Sequence, residues 1–126
     1  MPILAGAVAL VDDDASILCA LQRSLAMYGY RVKVFASAEQ YLEEADASEI
    51  SCAVIDIDLG SGLSGLDLGK EISSSGHATP IVFMSGSLDR RVCERAMAIG
   101  CIEFLGKPFL TSRLVAAIMK LDGPFS

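Results

Sequence analysis

The residues that offer chemistry are few and widely separated: Asp12 and Asp13, Asp56 with Asp58 just beyond it, Ser85, and Lys107. Carboxylates gathered in one place repel one another, so near neutral pH they either take up protons or hold a cation. A hard divalent ion meets that need. Mg2+ suits a site with few protein carboxylates, several waters and incoming phosphate oxygens. A carboxylate can also act as a nucleophile toward phosphorus and form an acyl phosphate, provided that positive groups neutralise the transferred oxygens. Lys107 and the ion would supply that charge, and the Ser85 hydroxyl would donate a further hydrogen bond to a phosphoryl oxygen.

For these residues to meet, the chain must bring distant segments to one rim. Short apolar runs alternate with stretches of helical period, the pattern of a parallel sheet covered on both faces. The predicted strands are Val8 to Val11, Arg31 to Phe35, Cys52 to Ile57, Ile81 to Met84 and Cys101 to Leu105. In the first predicted helix Ile17, Leu21, Leu25 and Tyr28 share a face, and Gly29 closes it. Ser37 and Gln40 have the residue types of a capping box that opens the second helix, with Tyr41 and Leu42. A third helix lies around Leu66 to Ile72, after a loop with three glycines from Gly60 to Gly65 that permit a sharp turn. A fourth runs from Asp89 to Gly100 with Val92, Ala96 and Ile99 on one face, and the last carries Leu114, Val115, Ile118 and Leu121.

Five strands and five helices in alternation predict an α/β fold, a doubly wound sheet in which ligands bind beyond the carboxyl ends of the strands. Asp12 and Asp13 end the first strand, Asp56 lies at the end of the third, Ser85 ends the fourth, and Lys107 follows the fifth, so the candidate chemistry converges on that rim.

Composition narrows the function classes. A chain of 126 residues, 52% hydrophobic, is expected to form one domain over 1–126, with its structured core at about 6–121. With 10 basic and 16 acidic side chains, the net charge of −6 opposes nucleic-acid binding by this chain. The apolar start lacks a basic leader and is too short to span a bilayer, so neither a membrane segment nor export is expected. Cys19, Cys52, Cys93 and Cys101 show no metal-ligand or disulfide spacing and read as small buried hydrophobes of a cytoplasmic protein.

The segments Val11-Asp-Asp-Asp14, Cys52-Ala-Val-Ile-Asp56-Ile-Asp-Leu59, Ile81-Val-Phe-Met-Ser85-Gly86 and Phe104-Leu-Gly-Lys107-Pro108-Phe109 resemble, in order and separation, the signature blocks of response-regulator receiver domains. The resemblance covers nearly the whole chain and is similar to receivers of the NarL/FixJ type. It implies a flavodoxin-like (βα)5 three-layer sandwich with sheet order 2-1-3-4-5. It also implies Asp56 as phosphoacceptor, Asp13 as a direct Mg2+ ligand, Asp12 as an acid holding the ion through water, and the backbone carbonyl of Asp58 as a further ligand. Ser85 matches the switch hydroxyl, Phe104 the aromatic that changes rotamer, and Lys107, before a cis Pro108, the lysine that pairs with the phosphoryl group. The implied partners are a sensor histidine kinase or phosphotransfer protein and an output protein or domain, with a phosphorylation-dependent homodimer as one form of output. On this reading the chain is a phosphoacceptor signalling domain, which catalyses only its own phosphorylation and dephosphorylation.

Three departures from the common pattern are specific. The loop from Leu59 to Gly65 lacks the usual proline and is longer by one residue, Ser85 stands where threonine is common, and Asp58 adds an acid near the acceptor that should change phosphoryl lifetime. Strand alternation gives Asp58 the same facing as Asp56, which makes it an alternative acceptor. Asp14 reads as a helix cap, His77 as a solvated loop residue, and Arg90, Arg91 and Arg95 as an exposed face. Two alternatives stand beside the receiver. One is an aspartate-nucleophile phosphohydrolase of haloacid-dehalogenase type, disfavoured because the acidic pair precedes Asp56. The other is the receiver half of a DNA-binding transcription regulator.

Overall fold

The computed structural model describes residues 4–77, 79–87 and 89–121. Its sheet comprises β1 (Ala7–Val11), β2 (Val32–Phe35), β3 (Ile50–Asp56), β4 (Ile81–Ser85) and β5 (Glu103–Gly106). All pairings are parallel, in the order β2-β1-β3-β4-β5. The helices are α1 (Ala15–Met27), α2 (Ala38–Glu44), α3 (Gly65–Ser74), α4 (Arg90–Ile99) and α5 (Thr111–Met119), with a short 3-10 turn at Ala47–Glu49.

Successive side chains of a strand face opposite sides, and in the central strands β1, β3 and β4 both sides are dry. Ala9, Val11, Ala53, Ile55, Ile81 and Phe83 join the core that includes α2, α3 and α4, whereas Val8, Leu10, Cys52, Val54, Val82 and Met84 join the one built with α1 and α5. This explains why the strands read as continuous apolar runs. The buried polar side chains among the described residues, Asp12, Asp56 and Ser85, lie instead at the carboxyl ends of the strands.

The strand edges differ from the sequence expectation for local reasons. β5 begins at Glu103 rather than Cys101: Gly100 adopts a left-handed φ of 99° that caps α4, and Ile102 N–H bonds the Ile81 carbonyl just ahead of the first paired residue. At the end of α1, Gly29 (φ 91°) sits just past the C-cap Tyr28, with Gly29 N–H on the Ala26 carbonyl and Tyr30 N–H on that of Leu25, a Schellman turn. That turn corrects the assignment of Tyr28 to the buried face: Tyr28 is 49% exposed and Tyr30, at 6%, packs instead. At the start of α2 the Ser37 hydroxyl accepts from Gln40 N–H, but the Gln40 side chain accepts from Ala36 N–H, one residue before the reciprocal position expected of a capping box. Leu42 is exposed. Asp14 is the cap of α1, as its type suggested, accepting from Ser16 and Ile17 N–H. The cysteine expectation needs correction too: Cys52 is buried, with its thiol pushed up to about 12 by burial, but Cys19 is exposed and Cys93 and Cys101 are half-buried.

Candidate functional site

The site forms where the sheet changes direction, between β1 and β3. Pairing of Val11 with Ile55 sets Asp12 beside Asp56, and pairing of Ser85 with Gly106 carries Lys107 to the same rim. Lys107 N–H donates to the Ser85 carbonyl at 2.7 Å, which fixes the backbone from which its side chain reaches back over the acids. Its Nζ lies 2.8 Å from Asp12 Oδ2 and 2.7 Å from Asp56 Oδ2. The Lys107–Pro108 peptide is cis, as the resemblance implied.

Charge in this cluster is unbalanced. Asp12 and Asp56 are buried, at 0% and 4% exposure, while Asp13 is exposed. One carboxylate oxygen from each of the three lies within 4.8 Å of the others. Burial pushes the Asp56 carboxyl up, against the hydrogen bonds from Lys107 and from Asp58 N–H that favour its ionised form. Burial likewise opposes the charge on Lys107, but its hydrogen bonds to Asp12 and Asp56 prevail and hold the ammonium above its ordinary value. Lys107 stays charged and cannot neutralise three acids. The donor set, hard oxygens with one face open to water at Asp13, fits a hexacoordinate Mg2+ that keeps several waters.

Asp58 departs from expectation. β3 ends at Asp56, so Asp58 lies two residues beyond the strand, and the two carboxylates have different partners on the rim. Asp56 reaches Lys107, whereas Asp58 Oδ2 lies 3.4 Å from the Ser85 hydroxyl, which also accepts from Ser87 N–H. Ser85 itself is 1% exposed. Phe104 is half-buried and packs against the core under α4. His77 is exposed, and Arg90 makes a surface pair with Glu94.

Two features of the rim escaped the sequence reading. Gly65 begins α3 so close to β3 that a Cβ there would stand 2.1 Å from the Asp56 carbonyl oxygen. Ser64 and Asp67 form a reciprocal capping box that holds this start in place. The signal for the box, serine followed three residues later by an acid, was present. The close approach of Gly65 had no local signature.

The strand order and the acid–lysine cluster at its switch point define a flavodoxin-like receiver. The response regulator receiver domain model matches residues 8–119, and the chain belongs to that family. It is similar to the response regulator protein TmoT of Ectopseudomonas mendocina, at 35% identity over 109 residues covering 86% of this chain and 49% of that protein. It is also similar to the transcriptional regulatory protein FixJ of Bradyrhizobium diazoefficiens, at 33% over 113 residues, 90% of this chain and 55% of FixJ. The chain thus spans about half the length of the curated relatives it matches. Among solved structures, FixJ-N superposes with a TM-score of 0.83 at 26% identity, covering 95% of each chain. No described helix is long and apolar enough to cross a membrane.

Proposed function

We propose that this receiver switches state by accepting a phosphoryl group on Asp56 from a phosphohistidine of a sensor kinase or phosphotransfer protein. The observation that carries the reading is the Lys107 ammonium, seated 2.7 Å from Asp56 Oδ2 at the centre of the acidic rim. A carboxylate oxygen of Asp56 attacks phosphorus, the nitrogen–phosphorus bond of the donor breaks, and the imidazole leaves carrying a proton. The product is an acyl phosphate. Lys107 exchanges its hydrogen bond to Asp56 for one to a phosphoryl oxygen, so positive charge accompanies the group as it transfers. Ser85 releases Asp58 and donates its hydroxyl to another phosphoryl oxygen, drawing in β4 and allowing Phe104 to change rotamer beneath α4.

Asp13, Asp56 and the carbonyl of Asp58 would hold Mg2+, with Asp12 acting through water. When bound, the ion neutralises charge on the acids and the incoming oxygens. The altered surface around α4, β5 and α5 would then change affinity for an output partner or a second receiver. Because 113 residues of this chain match only 55% of the transcriptional regulatory protein FixJ, a DNA-binding output domain in the same protein is the favoured partner. Intact mass after incubation with acetyl phosphate tests the chemistry. One phosphoryl adduct that requires Mg2+ and is lost in Asp56→Asn is expected; the same adduct in the variant would overturn Asp56 as acceptor.

A further inference from the structure

The loop between β3 and α3 spans residues 57–64, and an arm from another element ties it down. Glu39 stands in the first turn of α2, rooted by the Ser37 cap. Its Oε2 accepts a hydrogen bond from the Leu63 backbone N–H at 2.7 Å. Its carboxylate also lies against the preceding turn, since a Cβ on Gly62 (φ 86°) would stand 2.5 Å from Oε2. That bond holds the Glu39 carboxyl below its ordinary value, so the arm is ionised at neutral pH. Among the described residues, Glu39 makes the one hydrogen bond to the stretch from Gly60 to Leu63 from outside the loop.

The loop's near side lies on the site. A Cβ on Gly60 (φ 72°) would stand 3.1 Å from Asp13 Oδ2, so the Gly60 backbone borders that carboxylate closely. Asp13 is the exposed member of the triad, and repulsion from Asp12 and Asp56 favours rotamers that swing it toward water. A backbone wall beside it removes some of those rotamers and lowers the ordering cost of ion binding.

We propose that Glu39 is a positioning residue: by tying Leu63 it keeps Gly60 against Asp13, which preorganises the acidic cluster for its divalent ion. The inference rests on the receiver reading for its kinetic consequence but not for the clamp itself. Two measurements on Glu39→Ala and Glu39→Gln separate the two. Amide exchange at Leu63, followed by NMR without metal, reports the tie directly. Rates of phosphorylation by acetyl phosphate across a Mg2+ titration report its effect.

In Glu39→Ala, Leu63 exchange should rise several-fold, and half-maximal phosphorylation should need several-fold more Mg2+. The rate at saturating Mg2+ should be unchanged, because the residue never touches the reacting atoms. Glu39→Gln, whose amide oxygen still accepts the Leu63 N–H, should lie near wild type in both. Unchanged Leu63 exchange in the alanine variant would overturn the clamp. Faster exchange with an unaltered Mg2+ requirement would overturn the positioning role. A wild type that takes no phosphoryl group at any Mg2+ concentration would instead overturn the receiver chemistry, and Mg2+ affinity measured by calorimetry then decides whether Glu39 preorganises the acids: a several-fold loss in the alanine variant upholds it and no loss overturns it.

Discussion

At the scale of single residues, the site is a balance between buried negative charge and one lysine. Asp56 has its carboxyl raised by burial, and the sign of the consequence follows from linkage. An acid whose folded value exceeds its unfolded value favours the fold while protonated and loses that contribution as pH rises through the folded value. The ionised Asp56 therefore counts against the metal-free fold at neutral pH. Asp56→Asn should melt a few degrees higher than wild type in chelator at pH 7, and the gap should close as pH falls toward 3.8. A pH-independent gap in thermal melts would contradict this account.

Asp58 stands on the rim as a fourth acid, 3.4 Å from the Ser85 hydroxyl. Its carboxylate faces Ser85, so in Asp58→Asn the hydroxyl is freed from an anion and the approach of a phosphoryl dianion is less opposed. Uptake from acetyl phosphate should quicken, by up to about tenfold, and the phosphoryl half-life should change with it. Stopped kinetics by mass would show this; identical uptake would remove Asp58 from the mechanism. Asp12, Asp56 and Lys107 were legible beforehand because strand ends fix where a backbone points. The contact of Asp58 with Ser85 was not, because Asp58 lies two residues beyond the last paired residue, where a loop rather than a pleat sets direction.

At the scale of elements, caps and close approaches place the rim. The start of α3 depends on Gly65, since a methyl group there would meet the Asp56 carbonyl. Gly65→Ala should destabilise the domain by roughly 1–3 kcal/mol in urea titration, the range for forced overpacking. It should also slow phosphorylation, because relief requires β3 or α3 to shift at Asp56. Loss of stability below that range with full phosphorylation would show the approach to be soft. Ser64→Ala, by contrast, removes a cap and should cost about 1 kcal/mol while leaving Asp56 in place.

Element types were readable from periodicity, but their edges depended on chain reversals. The Schellman turn at Gly29 substituted Tyr30 for Tyr28 in the core, and Gly100 delayed β5 by two residues. Both glycines were visible in sequence as stops. What they did to the residues after them depends on where the returning strand lies.

At the scale of the whole molecule, two apolar layers hold a sheet whose buried polar side chains among the described residues, Asp12, Asp56 and Ser85, all lie at one rim. Phe83 is the largest fully buried side chain and packs against Gly69, whose missing Cβ leaves room for the ring. Phe83→Ala should cost roughly 3–5 kcal/mol, with β4 loosened next to Ser85. Fold class and strand order were legible because alternation of apolar runs with helical stretches admits few parallel topologies, and the order of the acids and lysine resembled one family. The clamp from Glu39 was not, because it joins residues 24 positions apart through a surface loop with no periodic pattern.

Asp56, whose carboxylate lies 2.7 Å from the Lys107 ammonium, is the proposed carrier of the phosphoryl group. Borohydride reduces an acyl phosphate to an alcohol and so converts the acceptor aspartate to homoserine, which peptide mass spectrometry locates. Homoserine at position 56 after treatment with acetyl phosphate and Mg2+, and none without the donor, is the expected result; homoserine at position 58, or at neither while the protein carries a phosphoryl group, would contradict it.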